Sequence, residues 1–398
     1  MNPLLLTSFT ATSCLGTGLG ALSAAIHNTR SGLAPCRFED VALDTWIGAV
    51  AEIDNAALPA SLERFECRNN RLAFLGMSQD GFMAAVADCV SRVGAHRVGL
   101  FLGTSTSGIL QTELAYRHRD PESGALPAGF CYAGSHNVFS AAAFTRELLG
   151  IRGPTAVVST ACSSSAKAFG SAQRMIELGI IDAAVVGGVD SLCLTTLYGF
   201  HSLQLTSRGQ CRPFAADRDG ISIGEAAAFV LLEQAPARCP GSALALLGVG
   251  ESNDGYHLSS PHPQGLGARL AMESALSAAG LKPAAIGYIN LHGTGTTSND
   301  SAECAAVTRV FGTAVPCSST KGATGHTLGA AGALEAVICA LALRDQLIPG
   351  APNTGPLDPA LQLNYLTRSA PRPITHALSN SFGFGGTNCS LLFGRLSL

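Results

Sequence analysis

One cysteine stands where an expected buried strand passes into a helix, in the segment TAVVSTACSSSAKAFG around Cys162. At a helix amino terminus, unpaired N–H groups and the helix dipole favour an anion. Such sites lower a thiol pKa from about 8.5 into the range of about 3.5 to 7.5. A thiolate there could attack an acyl thioester. Taken alone, the segment fits an inert buried cysteine equally well.

Two further segments carry histidines near expected strand ends. His292 lies in YINLHGTGTTSND, where the Gly and Thr residues must form a tight, hydroxyl-lined loop. His326 lies in SSTKGATGHTLGAAGALEAV, together with Lys321 and Glu335. A carboxylate in so apolar a helix needs a buried partner such as Lys321. A structural salt bridge explains Lys321 and Glu335 equally well, and a strand-end histidine is more often structural, but the salt bridge does not explain His326.

A glycine-rich loop is expected between two strands in SNSFGFGGTNCSLLF. It holds Gly383, Phe384, Gly385 and Gly386. Glycines let a backbone approach a ligand closely and present N–H donors to it. A plain glycine-rich β-turn is the alternative interpretation.

Short β-branched or apolar runs bounded by Gly, Ser or Asn predict the strands that position these residues. They are Val98 to Leu102, Thr155 to Val158, Ala183 to Val186, Phe229 to Leu232, Tyr288 to Leu291, Ala377 to Ser379 and Ser390 to Phe393. The amino terminus, MNPLLLTSFTATSCLG, predicts a further strand, because it has no basic n-region and its apolar run is too short for a signal peptide.

Longer segments with helical spacing lie between these strands, such as Ala166 to Leu178 and Leu328 to Leu343. The alternation predicts an α/β fold with mixed or parallel sheets covered by helices. The stretch QAPARCPG places a boundary near residue 240, between halves 1–240 and 241–398. The polar segment from Arg117 to Gly129 is expected to be an exposed loop.

Composition limits the possible partners. Of 398 residues, 47% are hydrophobic and 13% charged, with a net charge of −3, so no basic field is available to bind nucleic acid. The sequence contains no run of eighteen apolar residues, so no membrane-spanning helix is predicted. The 13 cysteines are odd in number and contain no CxxC pair, which favours reduced thiols in a cytoplasmic protein and no metal site.

Taken together and in this order, the motifs resemble the β-ketoacyl-[acyl carrier protein] synthases of the thiolase superfamily, in the branch with two catalytic histidines. They are ACSS at Cys162, CRPF and DRDG within 211–220, HGTGT at 292–296, KGATGH at 321–326 and GFGGTN at 383–388. The resemblance extends from the strand at Val98 to the carboxyl terminus.

The resemblance implies a thiolase-like, five-layered αβαβα fold with two pseudo-symmetric halves and mixed sheets. It also implies a homodimer with active sites near the interface, or a heterodimer with a related ketosynthase. The implied reaction is decarboxylative Claisen condensation of an acyl group on Cys162 with malonyl-acyl carrier protein, giving a β-ketoacyl thioester two carbons longer. The substrates travel on phosphopantetheine, and no further cofactor is implied.

The resemblance also assigns roles residue by residue. Cys162 is the nucleophile, and its N–H and that of Phe384 form an oxyanion hole; Phe384 gates the site. His292 and His326 hold the malonyl carbonyl, and Lys321 and Glu335 support them. The residues assigned to substrate binding are Thr294, Thr296, Thr106, Gly383, Gly385, Asp300 and Glu303.

An acidic carrier protein needs a local basic surface. Arg64, Arg68 and Arg71 have helical spacing and are expected to form one basic face. Arg208 is a further candidate, as are Arg117 and Arg119; a solvated charged face is the alternative for all of them.

The pattern departs from the family at Ser159 and Thr160 ahead of the nucleophile, at Ala226 after GE, and in a short segment between Arg208 and Cys211. These departures, with GTSTSG around Thr106, favour a specialised pathway such as polyketide or aryl polyene synthesis over primary fatty acid elongation.

Three related classes are alternatives. A chain-length-determining partner subunit replaces the nucleophile, which is present here. A degradative thiolase has a cysteine in the loop that reads GFGGTN here. An initiating synthase with His and Asn lacks the second histidine, His326.

Overall fold

Seventeen strands and eleven α helices alternate along residues 2–235 and 243–396, the part of the chain that the computed structural model describes. The strands are β1 Leu4–Ser13, β2 Gly16–Thr17, β3 Ala34–Pro35, β4 Trp46–Gly48, β5 Val98–Gly103, β6 Thr155–Val158, β7 Ala183–Asp190, β8 Ile223–Gly224, β9 Ala226–Gln234, β10 Leu244–Asn253, β11 Tyr288–Asn290, β12 Pro316–Ser318, β13 Leu347–Ile348, β14 Asn364–Tyr365, β15 Ala370–Pro371, β16 His376–Gly383 and β17 Thr387–Arg395. The helices are α1 Gly18–His27, α2 Arg68–Met77, α3 Phe82–Val93, α4 Ile109–Arg117, α5 Ser140–Leu148, α6 Ser164–Glu177, α7 Leu194–Ser202, α8 Leu266–Ala279, α9 Thr297–Phe311, α10 Lys321–Thr324 and α11 Ala331–Asp345.

Twelve of the strands form one continuous mixed sheet, whose two halves, the first and the second sheet, have the same topology; β3, β4 and β8 form a small separate sheet, as do β13 and β15. In the first sheet the order is β1-β9-β7-β5-β6, and in the second it is β10-β17-β16-β11-β12, with β14 added outside β12. In chain order, both sheets therefore run first, fifth, fourth, second, third. In both, the fifth strand is antiparallel to the first and to the fourth, whereas the fourth, second and third strands are parallel to one another. This repetition makes the two halves pseudo-symmetric, and β1 joins β10 at Leu4 and Leu246.

Helices occupy three layers around the two sheets. Helices α6 and α11 lie in the apolar core between the sheets, α2, α3 and α5 cover the outer face of the first, and α8 and α9 cover that of the second. Helix α11 is buried from Ala331 to Leu343, and its many alanines let both sheets approach it closely. The architecture is thus αβαβα, as the family resemblance implies.

Most expected elements are present, with shifted ends. Strand β6 has the predicted bounds, and the amino-terminal strand and the exposed loop after Arg117 are confirmed. The helix predicted from Leu328 begins instead at Ala331, because Leu328 has a left-handed backbone with φ of 50° and opens a 3-10 turn. The predicted boundary near residue 240 lies outside the described residues. In the part of the chain that is described, no helix is long and apolar enough to cross a membrane.

Candidate active site

Cys162 lies at the tip of a strained turn between β6 and α6. The preceding residue, Ala161, has φ of 52°, a conformation that costs a residue with a side chain of order 1–3 kcal/mol. The turn is held by Ser164, whose Oγ accepts a hydrogen bond from Thr160 N at 2.9 Å. The cysteine is therefore placed by the same strand and helix that the sequence predicted.

The glycine loop packs directly against this turn. Thr387 Oγ1 donates to Thr160 O at 3.1 Å and lies 2.8 Å from Ser163 Oγ. A Cβ at Gly383 would lie 2.9 Å from Thr160 O, so only glycine fits this approach without a shift. The backbone N–H of the neighbouring Phe384 lies close enough to Cys162 to act on the pKa of its thiol.

Both histidines reach the cysteine. His326 Nε2 lies 3.1 Å from Cys162 Sγ, and the rings of His292 and His326 are 5.3 Å apart in an edge-to-face arrangement. All three side chains are buried. The carboxyl ends of strands from both halves thus deliver one thiol and two imidazoles to a single point.

In each histidine, the hydrogen-bond partner of Nδ1 shows which ring nitrogen carries the proton. Leu328 N donates to His326 Nδ1 at 3.3 Å, and Lys321 Nζ lies 3.4 Å from His292 Nδ1. A nitrogen that accepts a hydrogen bond carries no proton, so the neutral rings bear theirs on Nε2. Both histidines are therefore N–H donors toward the space around Cys162.

Burial keeps these histidines neutral. It lowers the pKa of His292 well below its ordinary value, helped by the charge of Lys321 and by His326. Burial and the same lysine lower the pKa of His326 in the same direction. Imidazoles that stay neutral retain one donor and one acceptor nitrogen each, which suits hydrogen bonding to a carbonyl oxygen.

The expected lowering of the Cys162 pKa is wrong. Burial raises the pKa of this thiol to about 12, and the opposing effects of Lys321 and of Phe384 N–H are smaller. Helix α6 begins only at Ser164, so its dipole does not offset the loss of water around the sulfur. At neutral pH the buried Cys162 is therefore a thiol rather than a thiolate.

Lys321 and Glu335 form an ion pair behind the histidines, with Lys321 Nζ donating to Glu335 Oε1. Both side chains are almost wholly buried, and burial raises the pKa of Glu335. Removing either partner would leave an uncompensated charge in the core, which typically costs 3–5 kcal/mol.

Two predicted substrate-binding carboxylates have a different position. Glu303 accepts hydrogen bonds from His292 N at 2.8 Å and Gly293 N at 2.7 Å, and Asp300 accepts from Phe214 N at 2.9 Å. Both are buried and neither lines the cavity. The assignment of Asp300 and Glu303 to substrate binding is therefore corrected, because they hold the backbone of the His292 loop instead.

Thr106 and Gly385 also lie away from the cavity of this chain. Thr106 is buried, and its Oγ1 donates to Asp190 Oδ1 at 3.0 Å. Gly385 N donates to Leu258 O at 2.6 Å, on the outer side of the glycine loop. Their expected substrate contacts are corrected to contacts that shape the loops around the site.

A cleft opens above Cys162. The predicted residues that line it are Cys162, His292, Thr294, Thr296, His326, Gly383 and Phe384. Thr294 Oγ1 lies 2.9 Å from Thr296 Oγ1, which forms a pair of hydroxyls on one wall. The Phe384 ring lies 5.8 Å from the ring of Phe200, across the apolar part of the cleft.

Sequence reasoning missed one wall of the cleft and one buried acid. The wall consists of Asp254 and the segment 259–261, in the polar loop after β10. The acid is Asp190, the last residue of the apolar strand β7. A lone carboxylate at the end of such a strand was a usable signal, because a buried charge requires partners.

Cys162 Sγ and one ring nitrogen of each histidine lie within 4.8 Å of one another, and these atom types bind zinc in other proteins. However, Leu328 and Lys321 occupy the Nδ1 lone pairs, and a protonated Nε2 has none to give. The nearby Lys321 charge also repels a cation. The group is arranged for hydrogen-bond donation.

The predicted basic face of Arg64, Arg68 and Arg71 is wrong. Arg64 lies in a 3-10 turn rather than in the helix of the other two and pairs with Glu147. Arg71 pairs with Glu66. Arg68 is largely buried, and its Nη2 contacts Glu225 Oε1 at 2.6 Å. Their charges are neutralised within the chain.

The other candidate arginines differ. Arg117 pairs with Asp40 at 2.8 Å, whereas Arg119 and Arg208 are exposed.

Comparison with known proteins gives a consistent result. The family descriptions "Beta-ketoacyl synthase, N-terminal domain" and "Beta-ketoacyl synthase, C-terminal domain" match residues 69–237 and 244–354. The chain is 36% identical to 3-oxoacyl-[acyl-carrier-protein] synthase 2 of Vibrio cholerae serotype O1 over 323 residues, which covers 77% of this chain and 78% of that protein.

Two solved structures are similar over almost the whole chain. A ketosynthase from Xenorhabdus doucetiae, solved in complex with its chain length factor, has 38% identity and a TM-score of 0.89, covering 99% of this chain and 98% of that one. A beta-ketoacyl synthase from Burkholderia phymatum STM815 has 27% identity and a TM-score of 0.85, covering 100% of both chains.

Proposed function

The chain belongs to the β-ketoacyl synthase family of acyltransferase-type condensing enzymes, and we propose that Cys162, His292 and His326 are its catalytic residues. The observation that carries this proposal is the 3.1 Å contact between His326 Nε2 and Cys162 Sγ, with the His292 ring beside it in the same cleft. The rest of the site can be assigned to two half-reactions.

In the first half-reaction, Cys162 Sγ attacks the carbonyl carbon of an acyl thioester. The developing oxyanion accepts hydrogen bonds from the backbone N–H groups of Cys162 and Phe384. When the tetrahedral intermediate collapses, the bond from carbon to the pantetheine sulfur breaks and the thiol proton leaves with that sulfur. The acyl group then remains on Cys162, so a resting thiol with a raised pKa is compatible with the step.

In the second half-reaction, the carbonyl oxygen of the malonyl thioester accepts hydrogen bonds from Nε2 of His292 and His326. The bond to the carboxylate breaks, carbon dioxide leaves, and its electron pair forms the enolate. The enolate carbon attacks the acyl carbonyl, a carbon–carbon bond forms, and the bond to Cys162 Sγ breaks. The departing thiolate takes up a proton from solvent, which restores the resting thiol. Two fixed N–H donors stabilise the charge that develops on oxygen in this step.

We assign no cofactor to this chemistry, because each bond change uses an electron pair of the substrates or of Cys162. Thr294 and Thr296 line the cleft next to Cys162. Their hydroxyls share one hydrogen bond, so one of the two O–H groups remains to donate to a phosphopantetheine amide. Phe384 contacts the thiol through its N–H and the cleft through its ring, so movement of its loop would change both.

The pathway proposal is specialised chain elongation, of the polyketide or aryl polyene type. The structural similarity to a ketosynthase solved with its chain length factor, with a TM-score of 0.89 over 99% of this chain, supports it. The test is intact mass after mixing the protein with saturated and polyunsaturated acyl-carrier proteins, then malonyl-carrier protein. Extension of polyunsaturated chains supports the proposal, and turnover of saturated chains alone contradicts it.

Activity is expected to persist at mildly acid pH. Since the pKa of both histidines is lowered, they stay neutral as the pH falls through about 6.5, where an ordinary histidine gains a proton. The rate of condensation by pre-acylated enzyme should therefore change by less than about twofold between pH 7.5 and 6. A single-turnover pH profile checks this. A decline centred near pH 6.5 would show that a histidine titrates normally.

We also propose that the chain forms a dimer through β6. This strand is the outermost of its sheet and is half-buried, and among the described residues no strand pairs with its outer edge. Pro154 O and Val158 O face β5, so by strand alternation the N–H of Val157 points outward. An unpaired apolar edge is a template for a second strand.

Val157→Pro is expected to convert the dimer to a monomer, because it removes an outward N–H and leaves the ladder with β5 intact. Val157→Ala keeps that N–H and serves as the control. Light scattering coupled to size exclusion measures the mass of each. If Val157→Pro remains a dimer, the edge is not the interface. If the wild-type chain is a monomer that dimerises only with a related ketosynthase, the partner is a heterologous chain.

The carrier protein is proposed to dock near Arg208, which is exposed and close to Leu205 in the wall of the cleft. An acidic partner would meet this charge without first breaking an internal ion pair, unlike at Arg64, Arg68 or Arg71.

A cytoplasmic location is proposed from the cysteines, since all twelve within residues 2–235 and 243–396 are free thiols.

A further inference from the structure

Asp190 is a buried carboxylate that the two half-reactions do not use. It ends β7, is wholly inaccessible to solvent, and lies close enough to Cys162 to influence that thiol electrostatically. Its partners come from both halves of the fold: Thr104, Ser105 and Thr106 in the loop after β5, and Gly329 in the turn after His326. It is therefore a junction between the halves.

Each oxygen of Asp190 accepts from a backbone N–H. Oδ1 accepts from Ser105 N at 2.8 Å and Thr106 N at 3.0 Å, and also from the hydroxyls of Thr104 and Thr106. Oδ2 accepts from Gly329 N at 2.6 Å and from Ser105 Oγ. Backbone N–H groups cannot reverse, so the site requires an acceptor at both positions.

The bond to Gly329 fixes the turn that controls His326. Leu328, one residue earlier, has its left-handed φ of 50° and donates its N–H to His326 Nδ1. A Cβ on Gly329 would lie 2.7 Å from Ser105 N and 2.8 Å from Asp190 Oδ2, so the turn is pressed against the carboxylate. The backbone of His326 is held separately, by Ser222 O and Gly224 N. Its ring orientation therefore depends on the Leu328–Gly329 turn.

We propose that Asp190 is a positioning residue for condensation: through Gly329 and Leu328 it holds His326 in the tautomer that donates from Nε2. Without it, the buried Gly329 N–H loses its nearer acceptor, Asp190 Oδ2 at 2.6 Å, and keeps only Ser105 Oγ at 3.3 Å, so the strained turn loses the stronger of the two bonds that offset its strain. Leu328 N–H then leaves Nδ1, the ring can carry its proton there, and Nε2 becomes an acceptor. An acceptor cannot stabilise the malonyl enolate oxygen.

The test is Asp190→Asn, which keeps the shape of the side chain. Whichever way the amide is turned, its NH2 faces a backbone N–H, either of Gly329 or of Ser105 and Thr106. Loss of a partner that orients a metal-ligating histidine typically costs about 10–100-fold in activity. We expect a loss of the same order, about 10–100-fold, in condensation by pre-acylated enzyme when the partner that orients His326 is lost. Acylation of Cys162, measured by intact mass, should stay within about threefold of wild type.

Glu113→Gln is the matched control. Glu113 also places one oxygen on each of two backbone N–H groups, Leu194 N at 2.9 Å and Thr195 N, but these belong to α7 and not to the His326 turn. It should reduce stability without changing the ratio of condensation to acylation. A general loss of stability would lower both rates in both variants, whereas the proposal requires a change in the ratio only for Asp190→Asn.

Gly329→Ala tests the same link while the carboxylate remains, and it serves if Asp190→Asn does not fold. It should lower the same ratio, and the double variant should be no worse than the more severe single variant, because both break one contact. Additive effects, or a normal ratio in both single variants, would overturn the proposal.

The inference rests on the proposed role of His326, and His326→Ala separates the two. If that variant condenses normally, the role of His326 fails. If it is inactive in condensation while Asp190→Asn and Gly329→Ala are normal, only the role of Asp190 fails.

Discussion

Replacement of Cys162 by alanine is expected to abolish acyl transfer. The variant should gain no mass when mixed with any acyl-carrier protein, and turnover should fall by a factor of about 10⁴ or more, since the removed sulfur forms the covalent intermediate. Folding should be little affected, because alanine fits the turn and the bonds that hold it, such as Thr160 N to Ser164 Oγ, are retained. Intact mass and a thermal unfolding curve check both parts.

Cys304→Ala is the control for this substitution. Cys304 is also a buried thiol, but it lies in α9, packs in the outer core and does not line the cleft. It should be acylated at Cys162 like the wild type. If Cys162→Ala still acquired a stable acyl group, another residue would be the nucleophile. If neither it nor the wild type were acylated by any substrate, the chain would be better explained as a partner subunit with a structural Cys162.

Replacement of His292 by alanine is expected to separate the half-reactions. His292 does not touch the sulfur through a described hydrogen bond, whereas its Nε2–H faces the cleft, so acylation should continue while condensation falls by about 10²–10³. The loss is that of one preorganised donor at the enolate oxygen. Lys321 keeps its partner Glu335, so the core charge stays paired. Rapid-quench measurement with pre-acylated enzyme gives the condensation rate directly.

His376→Ala provides a comparison at a second strand-end histidine. His376 begins β16 and contacts Ala285 O at 3.1 Å, outside the cleft. Both half-reactions should proceed normally in that variant. Equal losses of acylation and condensation in His292→Ala would mean that His292 maintains the site as a whole and has no separate role in decarboxylation.

The sequence allowed the strands and the chemical groups to be located because both follow local rules. The run from Thr155 to Val158 is apolar and ends in small polar residues, and β6 has these bounds. Cys162 and His292 each follow such a run, and the ends of parallel strands lie at one edge of a sheet. His326 follows the short helix α10 after β12, a strand that was not among those predicted. The resemblance of the motifs to a known family added the five layers and the pseudo-symmetry of the two halves, which periodicity could not predict.

Properties set by distant partners could not be predicted in this way. The pKa of Cys162 depends on how much of both halves covers it, and that burial outweighs the helix terminus. Arg68 and Arg71 have helical spacing, but their charges are taken up by Glu225 and Glu66. Asp190 contacts Gly329, 139 residues away, and no local pattern encodes that contact.

The most direct test of the central claim is to locate the acyl group. Wild-type protein mixed with acyl-carrier protein would be digested and its peptides sequenced by tandem mass spectrometry, before and after addition of malonyl-carrier protein. The account predicts one acyl group on Cys162 that disappears as a product two carbons longer forms. An acyl group on a different residue, or one on Cys162 that malonyl-carrier protein does not remove, would contradict it.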